Sequence, residues 1–364
     1  MNMRTRRTLA SAHVSLLLLV LLLAPASLWA EFQDPLDHSA VAQPNLTQRP
    51  MMMADVAANA VVAVGPRGLI VVSQDDGKTW KQVEVPVQSD LVAVDFSGRA
   101  SGWAVGHDGV ILHSADSGLT WTKQLDGRMA KELFTEYYQD LMAAGDETAA
   151  EALELTELNY RDGPALPFLD VWFENENRGF AVGAFGLIAA TSDGGKTWEP
   201  WMHRIANDGG LHLNAIERVG EDIFIASERG YVFKLDRGQQ RFASIETSYP
   251  GTYFGVAGND SVVIAYGLRG SVLRSVDGGE SWQEVSVPSD ATINYGLTRP
   301  DGGFILANQA GELLLGDSSA EQFKLLETKR AMHLTSVVPL NERHLVATAL
   351  EGFNTIALPA AAKH

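Results

Sequence analysis

The sequence predicts an all-β protein, a seven-bladed β-propeller with a small helical insertion between blades two and three. Three observations carry that reading. A glycine-centred motif recurs seven times at a nearly constant interval, an Asp-containing turn motif follows it in fixed register, and apolar runs of strand length lie between them.

Residues 1–30 read as a signal peptide, because Arg4, Arg6 and Arg7 precede an apolar run over 14–23 and small residues then lead to Ala30. That run is shorter than the roughly 20 residues a spanning helix needs, so no membrane insertion is expected after cleavage. Cleavage fits after Ala30, or after Ala26 within A-P-A, and the pair Arg6-Arg7 leaves the general and twin-arginine export routes both open. The chain has no cysteine, which excludes disulfides and a lipid anchor on Cys and leaves packing as the source of stability. The expected compartment is the periplasm. Loss of the three arginines takes the net charge from −17 to −20, and a surface so acidic repels phosphate backbones and anionic lipid heads, so nucleic acid is not an expected partner.

The repeats begin with V-G-P-R-G-L-I at 64–70, V-G-H-D-G-V-I at 105–111, V-G-A-F-G-L-I at 182–188 and Y-G-L-R-G-S-V at 266–272. Weaker copies lie at 227–232, 308–313 and 349–354. The second glycines are Gly68, Gly109, Gly186, Gly230, Gly270, Gly311 and Gly352, at intervals of 41, 77, 44, 40, 41 and 41 residues. Units of ~40–45 residues with four short strands are propeller blades. Roughly 330 residues also exceed the ~250–300 at which a single core stops growing, which a repeat architecture accommodates.

The second motif, S/T-x-D-x-G-x-x-W, comprises Ser73, Asp75, Gly77 and Trp80; Ser114, Asp116, Gly118 and Trp121; Thr191, Asp193, Gly195 and Trp198; and Ser275, Asp277, Gly279 and Trp282. Each tryptophan lies twelve residues after its repeat glycine, as do Phe242 and Phe323 in two degenerate units. The glycine pair is expected to turn the chain between the second and third strands, where positive φ suits glycine. The Asp motif is expected to turn it between the third and fourth, its carboxylate accepting amide hydrogen bonds. The tryptophan should start the fourth strand and pack between neighbouring blades. Blade two, for example, reads as strands near 91–96, 103–105, 110–113 and 120–123.

Blade seven has too little chain after Gly352 for a fourth strand, so ring closure by residues around 31–50 is expected. The propeller should therefore cover 31–358, with 359–364 as a tail. Residues 128–163 form the insertion, where Leu133, Phe134, Tyr137, Leu141, Ala149, Leu153 and Leu158 recur at helical spacing around a Gly145-Asp146 break. Two short helices are expected, on the face that carries the glycine turns.

Before each repeat glycine that face should present Arg67, Asp108, Phe185, Arg229, Arg269, Ala310 and Glu351. Arginine forks suit recognition of carboxylates, so Arg67, Arg229 and Arg269, with Asp108, Phe185 and Glu351, are the candidate partner-binding residues. Pairing of those arginines with Asp108, Glu351 and other acids in solvent is the competing reading.

The Asp turn also occurs in sialidases, so a carbohydrate-active hydrolase or lectin is the alternative function. The chain lacks that family's first-blade arginine signature, and Tyr231, Tyr253 and Tyr295 have no recognisable nucleophile context. Histidine spacing shows no metal motif, and no phosphate-binding or nucleophile-elbow motif occurs. The expectation is a non-enzyme, with no catalytic residue, metal or cofactor.

With these motifs in place, the chain resembles the photosystem II stability/assembly factor family from about residue 31 to 358, with V-G-x-x-G-x-I and S/T-x-D-G-G-x-T-W together at 182–198. The resemblance implies a seven-bladed propeller in the thylakoid lumen of a photosynthetic organism, with facial arginines that meet a membrane-protein partner. The insertion and the degenerate turns of blades four, six and seven suggest a divergent branch. Relatives outside photosynthesis imply the periplasmic domain of a membrane protein as partner, with an accessory role to an RND-type transporter. A monomer is expected.

Overall fold

The computed structural model describes residues 33–359 apart from 59, 99 and 329–331. The segment expected to be a signal peptide and most of the C-terminal tail lie outside the described residues. Seven antiparallel sheets follow one another along the chain, each in simple up-and-down order. Blade one is β1 (Met53–Ala57), β2 (Ala60–Gly65), β3 (Leu69–Ser73) and β4 (Lys81–Gln82). Blade two is β5 (Leu91–Asp95), β6 (Gly102–Gly106), β7 (Ile111–Ser114) and β8 (Thr122–Leu125). Blade three is β9 (Phe168–Phe173), β10 (Gly179–Gly183), β11 (Ile188–Thr191) and β12 (Glu199–Pro200). Blades four, five and six are β13 (Leu213–Val219) to β16 (Arg241–Glu246), β17 (Tyr253–Gly258) to β20 (Gln283–Glu284), and β21 (Ile293–Thr298) to β24 (Phe323–Glu327). Blade seven has three strands, β25 (Leu334–Asn341), β26 (His344–Ala349) and β27 (Gly352–Ala357). Among the described residues no helix is long and apolar enough to cross a membrane.

The core is divided among the blade interfaces. Seven buried apolar clusters among the described residues each join two consecutive blades, including one between blades seven and one that closes the ring. Strand residues on both faces are therefore buried, which explains why β2, β3, β6, β10 and β18 (Val263–Gly267) read as nearly continuous apolar runs. The aromatics twelve residues after the glycines all pack into the interface with the preceding blade. Each Asp-motif tryptophan immediately precedes its short fourth strand and does not start it, because the turn holds it first. Trp80, Trp121 and Trp282 donate their indole N–H to the carbonyls of Gly77, Gly118 and Gly279 at 2.9–3.1 Å.

In these turns the aspartate organises the backbone. Asp75 accepts from the Ser73 hydroxyl, the Thr79 amide and the Thr79 hydroxyl, while Ser73 Oγ accepts the Gly77 amide. These bonds, led by the one from the Thr79 hydroxyl, hold the Asp75 carboxyl down at about 2. Blades four and six lack the full motif yet keep a turn-forming carboxylate, since Asp236 and Asp317 each accept amides two and three or four residues ahead.

Ring closure departs from expectation. Residues 35–50 lie on the propeller but add no strand to blade seven. Leu36 packs into the interface of blades one and two, Gln88 and Ala40 exchange backbone bonds with Pro35 and Val85, and Asp37 grips Arg128. Further on, the Met51 amide donates to Ala349 and the Met51 carbonyl accepts from Thr335. Pro44 and Pro50 cannot donate to a ladder, which disfavours a paired strand here. Side chains close the ring instead, including Ser336, whose hydroxyl accepts the Ala54 amide at 3.1 Å.

Candidate functional face and central channel

The glycine turns form one face of the ring. In blades one to five the residue before the repeat glycine is left-handed, with φ of 61° at Arg67, 58° at Asp108, 53° at Phe185, 55° at Arg229 and 57° at Arg269. Each following glycine is also positive in φ, so these are two-residue hairpin turns with both central positions left-handed. Both glycines of V-G-x-x-G sit where backbone approaches closely, a Cβ on Gly68 lying 2.1 Å from the Val87 carbonyl oxygen, but only the second also needs a left-handed φ. Gly68 has φ 70°, whereas Gly106 is extended, and a Cβ there would lie 1.9 Å from the Asp90 carbonyl oxygen. The first glycine answers a close approach of backbone, not a turn.

Arg67, Arg229, Arg269 and Phe185 are exposed at these tips. Among the described residues none of the three guanidinium groups forms an ion pair. Asp90 accepts the Arg67 backbone amide at 2.8 Å, and the two acids read as competing partners of the arginines are engaged elsewhere. Asp108 accepts from the Ser89 hydroxyl at 2.7 Å, and Glu351 is bound by both the amide and the ring of His333. The His333 bond is the main reason the Glu351 carboxyl falls below its ordinary range. Arg229 and Arg269 stand on adjacent blades, whereas blades six and seven separate Arg269 from Arg67, so the three arginines are not on consecutive blades. Neither Ala310 nor Glu351 is left-handed, since Asn308 shapes the blade-six turn by accepting the Ala310 and Glu312 amides.

The insertion comprises α1 (Gly127–Ala143) and α2 (Ala149–Asn159). Buried Asp126 caps α1 by accepting the Arg128 and Met129 amides and holds Lys123 and the Arg128 side chain as well. Helix α1 begins against the blade-two glycine turn, where Gly127 would meet a Cβ on Gly109 at 2.8 Å, and Asn159 at the end of α2 donates to the Phe185 carbonyl. Phe134 buries the insertion at the interface of blades two and three, and Tyr138, Ala149 and Ala152 at that of blades three and four. Leu133 and Leu158, expected on the packed side, are exposed at 43% and 54%, because α1 turns Phe134 and Tyr138 inward instead. Met129, Leu133 and Leu158 are thus apolar residues left exposed on the insertion, and Leu158 neighbours Asn159, which bonds to Phe185.

A second feature was not anticipated. The innermost strands of all seven blades enclose a central cavity of about 170 Å³. In blades one to three an acid of the inner strand stitches its blade to the next. Asp55 accepts the Phe96 amide at 2.8 Å, Asp95 the Phe173 amide at 2.9 Å, and Asp170 the Ile216 amide at 2.8 Å. Glu217 is the inner-strand acid of blade four, but its carboxylate accepts the amide of its own neighbour Arg218 at 2.9 Å and makes no such stitch among the described residues. Loss of water around the carboxylates pushes Asp55 up to about 6 and Asp170 to about 7. Glu217, which lines the channel and is exposed as a residue, rises to about 7 from the same desolvation, and Asp95 also rises well above its usual range. Elsewhere neutral groups make the stitch, as where Asn214 donates to the Tyr253 carbonyl and Asn294 to the Leu334 carbonyl. A sequence signal existed: an acid in the middle of an apolar first strand, as in M-A-D-V-A and F-L-D-V-W. The tyrosines weighed for catalysis are dispersed: Tyr295 lines the channel, Tyr253 is buried against Thr247, and Tyr231 stacks on Phe233.

Comparison with known proteins agrees with this architecture. A family model described as "Photosynthesis system II assembly factor YCF48" matches residues 40–151 and 146–262. The chain is 28% identical over 296 residues to the photosystem II assembly protein Ycf48 of Synechococcus sp. (strain JA-3-3Ab), covering 65% of this chain and 87% of that protein. It is 26% identical over 312 residues to the chloroplastic photosystem II stability/assembly factor HCF136 of Oryza sativa subsp. japonica, covering 76% of this chain and 67% of that protein. Among solved structures, YCF48 bound to D1 peptide aligns with TM-score 0.63 at 15% identity, over 91% of this chain and 99% of that one. The WD40 repeats of RRP9 align with TM-score 0.60 at 11% identity, over 90% of this chain and 100% of that one, so the ring itself is shared beyond one family. A family match reaching from blade one into blade five, joined to the seven-bladed ring, shows that the chain belongs to the Ycf48 family of photosystem II assembly factors.

Proposed function

We propose that this protein is an exported, non-enzymatic assembly or stability factor that holds an exposed segment of a membrane protein against its glycine-turn face. The observation that carries the reading is the set of left-handed tips. A non-glycine residue there costs on the order of 1 kcal/mol, and five successive blades bear one. Three arginines without ion pairs among the described residues, beside exposed Phe185, offer forked donors to carboxylates and an apolar anchor. The solved Ycf48 structure that carries a D1 peptide supports a partner of this kind. Asp108 and Glu351 act in this reading as shaping residues, holding Ser89 and His333.

The compartment is the periplasm, or the lumen in a photosynthetic cell, and the partner is a core subunit of a photosystem or an RND-type exporter. Capture from detergent-solubilised membranes tests the reading. Deleting the insertion would uncover Trp201 and Leu125, so surface substitutions are preferable. Arg67→Glu, Arg229→Glu, Arg269→Glu and Phe185→Asn together should abolish capture of a membrane protein by the folded variant. Undiminished capture places binding elsewhere.

A further inference from the structure

A groove runs between α2 and the segment that links blades three and four, on the outer rim. It has a volume of about 710 Å³ and does not include the arginine-bearing tips. Its floor is apolar, with Ala152, Met202 and Ile205 all buried. Its walls are acidic. Glu147, Glu151 and Glu154 line one side and Asp208 the other, and among the described residues none of these carboxylates forms an ion pair.

Positive charge is scarce there. Arg241 is the one arginine or lysine among the lining residues. His203 also lines the groove but is neutral. Burial, and then the adjacent charge of Arg204, pushes it down to about 4. Its Nε2 accepts the Arg204 Nε–H at 3.1 Å, which leaves the ring proton on Nδ1 facing the Tyr138 hydroxyl at 3.3 Å. Arg204 itself leans over Trp201, 5.0 Å from the ring. The groove therefore pairs an apolar floor with walls on which four carboxylates face one lining arginine.

We infer that this groove binds a cationic, amphipathic peptide segment of a partner protein, with apolar side chains on the floor and Lys or Arg against Glu147, Glu151, Glu154 and Asp208. This goes beyond the proposed function and does not rest on it. An inorganic cation does not fit, because among the described residues no three ligating side chains are grouped to hold one. A nucleic acid is repelled.

A labelled peptide of Lys and Leu in helical repeat, titrated into the full chain at low salt, tests the inference by anisotropy. Glu147→Gln, Glu151→Gln and Glu154→Gln together should weaken binding roughly tenfold, since exposed ion pairs are individually weak and three are lost at once. Glu84→Gln, Glu280→Gln and Glu284→Gln remove the same charge from other exposed positions and should leave affinity unchanged. Arg229→Gly should also leave it unchanged, which separates this site from the glycine-turn face. A photoreactive copy of the peptide should label the stretches 147–155 and 202–210. Equal weakening by both Gln triples, no weakening by the first, equal binding of a Glu and Leu peptide, or labelling elsewhere would overturn it.

Discussion

The indole of Trp80 in blade one lies flat on the ring of Phe353 in blade seven, with centroids 3.9 Å apart and planes 11° from parallel. This stack is part of the seam where the two ends of the chain meet. Among the described residues blade seven has no fourth strand, and side-chain packing and a few backbone bonds close the ring. Trp80→Ala should therefore cost about 2–3 kcal/mol and lower Tm by roughly 5 °C, with Trp80→Phe recovering much of it. Thermal denaturation followed by circular dichroism checks this, and a Tm unchanged in Trp80→Ala would mean the seam is held elsewhere.

The seam also shows what could be read in advance. The spacing of Gly68, Gly109, Gly186, Gly230, Gly270, Gly311 and Gly352 implied seven blades, because each turn is short-range chemistry repeated in register. The incomplete last blade was legible too. How the ring closes was not, since the Trp80–Phe353 stack joins residues hundreds of positions apart. The turns of blades four and six read as degenerate because the Ser, Asp and Gly of the motif are replaced there, yet Asp236 and Asp317 still bend the chain. Of the candidate face, the tips and their residues were legible, but the internal partners of Asp108 and Glu351 depend on Ser89 and His333, which only folding brings near.

Two glycine substitutions distinguish a position of close backbone approach from an open one. Gly106→Ala would drive a methyl into the Asp90 carbonyl and should destabilise by roughly 3 kcal/mol. Gly209→Ala, where the nearest atoms lie at 3.7 Å, should change stability by less than about 0.5 kcal/mol. Chemical denaturation of the two variants should separate them clearly.

The channel acids give stability an unusual pH dependence. Asp55, Asp170 and Glu217 have raised values of about 6 to 7, so the folded state binds their protons more tightly than the unfolded chain. Their contribution is full below their ordinary values near 4 and is lost as pH rises through 6 and 7. Asp75 runs the other way. Its value of about 2 gives a contribution present above 3.8 and lost as pH falls through 2. Tm should therefore peak near pH 4 and fall as pH rises from there toward 7, and Glu217→Gln should raise Tm at pH 8 while leaving it unchanged at pH 4. A maximum at pH 8 in the unaltered protein would contradict the assignment of the channel carboxylates.

The left-handed tips set stability against binding. Arg229 holds φ 55°, a conformation that disfavours a residue with a Cβ, and its side chain makes no ion pair among the described residues that would offset the strain. Arg229→Gly should therefore stabilise the fold by about 0.5–1 kcal/mol, after allowance for the greater freedom of glycine in the unfolded chain. The same change removes a guanidinium from the proposed partner face, so capture of the membrane partner should fall while Tm rises. Arg229→Asn, which tolerates the left-handed region but lacks the charge, should lose capture with little change in stability. If Arg229→Gly lowers Tm, the side chain has a stabilising role within the ring, and the tip is not a site kept for binding at the expense of stability.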